Sequence, residues 1–73
     1  MTPDELPDVA SLRAELEQLE VEEREISAYR RKLHDRIDRF PSEAALLEER
    51  QVSDQRRALH RRIDELRELL AAP

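Results

Sequence analysis

The chain has 73 residues with no cysteine and no glycine, which bounds it to one small domain and excludes disulfides, thiolate metal sites and glycine-rich phosphate loops. Charged residues, mostly Glu and Arg, make up 42% of it, and the net charge of −5 comes from interspersed signs, so no basic block marks a direct nucleic-acid or membrane partner. No apolar run approaches a membrane span and no signal peptide is visible, which reads as a cytoplasmic protein.

Residues 1–8 carry two prolines and several polar side chains. They read as a flexible arm leading into Asp8, an N-cap candidate. Nothing from Val9 to Phe40 breaks a helix. Pro41 then disfavours helical geometry at Phe40, and Ser42 is suited to cap a second helix. The predicted helices are therefore about 9–40 and 43–71. Each is about 45 Å long at about 1.5 Å rise per residue. So short a connection favours antiparallel neighbours, and the expected fold class is all-α: a two-helix antiparallel coiled-coil hairpin spanning 9–73.

Apolar spacing supports the hairpin. Leu12, Leu16, Leu19, Ile26, Leu33, Ile37 and Phe40 form a seam on the first helix. Val52, Leu59, Ile63, Leu66 and Leu70 form one on the second. Glu23, Arg30, Glu49 and Arg56 interrupt these seams. A buried charge without a partner is costly, so these groups must pair, reach solvent or serve a ligand.

The chain overlays itself at a shift of twenty-six residues. Residues 22–38 and 48–64 are identical at eleven of seventeen positions. Their shared polar skeleton is Glu23, Ser27, Arg30, His34, Asp38, and then Glu49, Ser53, Arg56, His60, Asp64. At about 100° per residue, the five side chains of each copy fall within an arc of about 80°, one stripe beside the seam. The differing pairs, such as Ala28/Asp54 and Tyr29/Gln55, lie outward.

Folding the hairpin about Phe40–Ser42 sets Glu23 opposite His60, Ser27 opposite Arg56, Arg30 opposite Ser53 and His34 opposite Glu49. Two antiparallel helices are related by a two-fold axis, so both stripes share one face. Arginines (Arg30, Arg31, Arg56, Arg57) lie at its centre and carboxylates towards its ends. Arg forks and Ser hydroxyls suit phosphate oxygens, while Asp can accept from a guanine's pairing edge. The pattern fits a two-fold cyclic dinucleotide.

The twin motif resembles the paired Glu–Ser–Arg–Gln–Asp motifs of the RsiG-type anti-sigma factors of actinobacteria. The likeness covers roughly residues 20–66. It implies an antiparallel coiled coil that binds cyclic di-GMP, alone or as a dimer of the nucleotide, and that when loaded holds a sporulation/flagellar (WhiG/FliA-like) sigma factor inactive. By the same resemblance, Glu23, Ser27, Arg30, His34 and Asp38 carry binding with Glu49, Ser53, Arg56, His60 and Asp64. Arg31 and Arg57 are accessory phosphate contacts. The family's Gln is His in both copies here, which keeps a donor and an acceptor. Some members carry one motif and dimerise; two motifs in one chain imply that a monomeric hairpin completes the site.

Competing readings are blander. The Glu-x-x-His signature of di-iron bundles is absent, because positions 31 and 57 are Arg, so no metal is expected. Ser27 and Ser53 lack an enclosing pocket for nucleophilic catalysis, and no enzyme activity is expected. The polar seam residues could instead set register in a ligand-free scaffold or a homodimeric bundle, pairing Glu with His and Ser with Arg across the seam. Val21 and Leu47, equivalent in the two copies, are expected to face away from the seam.

Overall fold

The structure, a computed structural model, describes residues 8–71. It consists of α1 (Val9–Arg39) and α2 (Glu43–Ala71), packed antiparallel as a rod of 54 × 20 × 17 Å. The expected arm lies outside the described residues except for its last member, Asp8. That residue is the N-cap of α1: its extended backbone (φ −76°, ψ 166°) lets a carboxylate oxygen accept from the Ser11 N–H at 2.7 Å. The same bond holds the Asp8 carboxyl below the usual carboxylate range.

The link between the helices needs no residue with positive φ, in keeping with a chain that lacks glycine. Its proline decides where α1 stops. Phe40, the residue before Pro41, is driven to φ −139°, ψ 75°, while its N–H still donates to the Arg36 carbonyl at 2.7 Å. Arg36 and Arg39 in this last turn complement the negative helix end. Ser42 then opens α2. Its hydroxyl accepts from the Ala45 N–H at 3.1 Å and its carbonyl from the Leu46 N–H at 3.0 Å.

One seam assignment is corrected here. Heptad spacing puts Phe40 on the apolar stripe of the first helix, but that helix ends at Arg39 and the Phe40 ring is 75% exposed. The non-helical geometry that Pro41 imposes rotates the ring off the stripe, which a heptad count takes no account of.

The core is thin. Leu33, Ala45, Val52, Ile63 and Leu66 are buried, and Ile26 and Ile37 pack against the Leu33–Ala45–Val52 cluster. Leu33 and Leu66 are fully enclosed, worth about 1.5–3 kcal/mol each. Leu12, Leu16, Leu19 and Leu70 lie on the seam only half-buried. Near the open end Arg62 donates to Glu15 by Nε at 2.7 Å and by a terminal nitrogen at 2.9 Å, and Arg67 donates to Glu20 at 2.9 Å. These tie α1 to α2 at the surface, where solvent screens them.

Candidate functional site: a two-fold polar face

The spacing of four, three and four residues puts Glu, Ser, Arg and His of each repeat on one helix face. Antiparallel packing brings the two faces together in the register expected from the sequence. Each repeat is then split between two clusters, and each cluster takes half from each helix.

In the first cluster the Ser27 hydroxyl donates to Glu23 Oε1 at 2.7 Å and accepts from Arg56 Nε at 3.0 Å. His60 Nε2 reaches the same Glu23 oxygen at 3.1 Å, and Arg56 Nε lies 3.6 Å from it. In the second, Ser53 donates to Glu49 Oε1 at 2.8 Å and accepts from Arg30 Nε at 3.0 Å. His34 Nε2 reaches Glu49 Oε1 at 3.0 Å, and Arg30 Nε lies 3.5 Å away. The two clusters agree bond for bond, so the sequence repeat has become a geometric one.

The chemistry assigns the protons. A carboxylate only accepts, so each imidazole carries its hydrogen on Nε2 and turns Nδ1 away. Each serine spends its hydrogen on glutamate and offers lone pairs to arginine. Two donors, the serine hydroxyl and the imidazole, thus converge on one glutamate oxygen, with the guanidinium charge beside it. Both carboxyls sit below the usual glutamate range: for Glu23 the Ser27 hydroxyl leads, ahead of His60 and Arg56, while for Glu49 His34 leads, then Ser53 and Arg30. Partial burial opposes this and is outweighed.

The arginines matter most for what the face can bind. Arg30 and Arg56 are 35% and 37% exposed along their side chains, and each is anchored through Nε. Their terminal nitrogens make no hydrogen bond among the described residues. A guanidinium held this way presents a pre-oriented fork to an oxyanion.

Other expected site residues stand apart from these clusters. Asp38 and Asp64 are exposed and have no hydrogen-bond or ion-pair partner among the described residues. Asp38 borders a shallow hollow shared with His34 and Glu49. Arg31 is exposed and likewise unpartnered, while Arg57 turns to Asp54 of its own helix at 3.5 Å. Among the described residues no group of three or more His, Cys, Asp or Glu is arranged to hold a metal ion. Among the described residues no helix is long and apolar enough to cross a membrane.

A second concavity is one that motif spacing does not reveal. A groove of about 820 Å³ runs along the opposite face, between Ile26 and Tyr29 of α1 and Val52 and Leu59 of α2. Its only signal lies in the repeat. Glu22, Ile26 and Tyr29 each precede a motif residue by one position, as do Glu48, Val52 and Gln55. One step along a helix is about 100° around it.

No family model, curated protein or solved structure matches this chain.

Proposed function

We propose that this hairpin binds cyclic di-GMP on its two-fold polar face and, so loaded, holds a sporulation- or flagellar-type sigma factor inactive. One observation carries the ligand half of this reading. Arg30 and Arg56 are fixed through Nε by serine on the opposite helix, leaving two outward forks related by the pseudo-two-fold axis. Cyclic di-GMP has two phosphates related by a two-fold axis and a guanine at each end. The forks take the phosphates, and the unpartnered carboxylates of Asp38 and Asp64 accept from the guanine pairing edges. His34 and His60 offer Nδ1 to the ligand while Nε2 stays on glutamate. Arg31 and Arg57 add positive charge beside the phosphates. The sigma factor as partner, with the cytoplasmic location this requires, is drawn from the motif's resemblance to the RsiG-type proteins.

A second reading has its own support. The Glu, Ser, Arg and His side chains satisfy one another without any ligand, as they would in a plain coiled-coil scaffold or homodimeric bundle.

Calorimetric titration of cyclic di-GMP into the chain separates the two, with cyclic di-AMP and GTP as controls. The proposal expects saturable, guanine-selective binding that an R30A/R56A double variant abolishes, and a melting temperature raised by the ligand. Absence of binding both to the chain alone and to the chain mixed with a sporulation-type sigma factor overturns it in favour of the scaffold.

A further inference from the structure

The groove opposite the motif face has a floor and a rim of different character. Val52 is buried, Ile26 and Leu59 are half-buried, and together they form an apolar floor. Tyr29, 39% exposed, leans from α1 and donates its hydroxyl hydrogen to Glu48 of α2. The rim is acidic: Glu22, Glu25 and Glu48 border the floor, and none is ion-paired among the described residues. The cation at the groove, Arg62, is already neutralised by its two-pronged contact with Glu15. The groove is thus an open apolar strip with acidic edges.

The charge pattern selects the occupant. A second copy of this chain, docked groove to groove about a two-fold axis, would set two acidic rims against each other. An anionic lipid surface is repelled for the same reason. A partner helix with an apolar stripe flanked by Lys and Arg satisfies both floor and rim. From Glu48 to Arg62 the groove follows about 21 Å of α2, or about four helical turns.

We propose that this groove is a docking site for a basic amphipathic helix of a partner protein, which completes a three-helix bundle on the face opposite the polar motif. Recognition is of the helix-in-groove kind, with apolar anchors at i, i+3 or i+4, and i+7 over Ile26, Val52 and Leu59, and basic flanks over Glu22, Glu25 and Glu48. The site needs no nucleotide and stands independently of the function proposed above. Because it uses the residues one step around each helix from the motif, a helix in the groove and a ligand on the motif face occupy the hairpin together.

The test uses the whole chain and a labelled synthetic amphipathic peptide of about five turns, with a Leu stripe flanked by Lys, read by fluorescence anisotropy. Saturable binding is expected, with a Glu-flanked version of the same peptide weaker by about tenfold or more. Glu25→Lys, in the rim, weakens the Lys-flanked peptide by about tenfold, whereas Glu17→Lys, exposed outside the groove with the same charge change, leaves it within about twofold. Ala58→Arg, which projects a cation into the groove from an exposed position, blocks the peptide without loss of helicity. Equal weakening by the two Glu→Lys variants would mean attraction to bulk charge and overturns the proposal. So does failure of the Lys-flanked peptide to bind, or a chain that is dimeric as wild type and monomeric as Ala58→Arg, which would make the groove a self-interface.

Discussion

Removing the serine hydroxyls tests the polar clusters most directly, because serine is the joint between arginine and glutamate in both. Ser27→Ala deletes the 2.7 Å bond to Glu23 and the 3.0 Å bond from Arg56. Ser53→Ala deletes the matching bonds of 2.8 and 3.0 Å. Two partly solvated hydrogen bonds at about 1 kcal/mol each give a loss of about 2 kcal/mol. Alanine is the better helix former by about 0.5 kcal/mol, which leaves a net cost of about 1.5 kcal/mol per variant. For a domain of this size that lowers the melting temperature by about 6–12 °C. Circular dichroism melts at fixed concentration read it directly. Since the two clusters share their geometry, the two variants are expected to melt within a few degrees of each other. Each also frees one guanidinium from its anchor, so the binding proposed for cyclic di-GMP is expected to weaken as well. A melt unchanged from wild type in either variant, or a loss confined to one of them, refutes the view that serine fixes the arginines in two equivalent clusters.

Acid should loosen the hairpin. Glu23, Glu49 and Glu15 have folded values below the ordinary 4.5, held there chiefly by Ser27, His34 and Arg62 respectively. Between those lowered values and 4.5 the unfolded chain binds more protons than the native one, so their stabilisation is present above that window and lost as pH falls through it. Melting temperatures taken from about pH 5 to about pH 3 are expected to fall, and a rise over that interval would contradict the assignment. Leu66→Ala, at a fully enclosed position, is expected to cost about 2–5 kcal/mol, whereas Leu69→Ala, 55% exposed, stays within about 0.5 kcal/mol; denaturant titration of the pair checks the depth of the core. Phe40→Ala is likewise expected to change stability by less than about 0.5 kcal/mol, and a loss as large as that of Leu66→Ala would return the ring to the seam.

Much of the architecture follows from a few residues. Pro41 and Ser42 divide the chain into two helices, and so short a link makes them antiparallel. The turn then dictates which residues face each other, so the Glu23–His60, Ser27–Arg56, Arg30–Ser53 and His34–Glu49 pairings are readable from the sequence. The repeat itself announces a two-fold face, because identical strings on antiparallel helices map onto each other.

What the sequence could not decide is the rotation of each helix about its own axis and the backbone angle of single residues, since heptad spacing specifies neither. Only the packed structure removes Phe40 from the seam, through the non-helical backbone that Pro41 imposes. Packing also makes Ala45 core, one heptad before Val52 and in one cluster with it and Leu33. It leaves Asp38, Asp64, Arg31 and Arg57 outside the clusters while drawing the Glu, Ser and His residues, Arg30 and Arg56 into contact. It decides as well that the arginines are held by Nε with their terminal nitrogens free, a choice among donors that spacing cannot make. Side-chain positions one step around each helix, silent in the motif, become an acid-rimmed apolar groove only when two helices set them side by side. Composition and periodicity determined the helices, their direction and their pairing, because those depend on local geometry and chain connectivity. Burial, donor choice and the second face belong to tertiary structure, because they depend on how two surfaces meet.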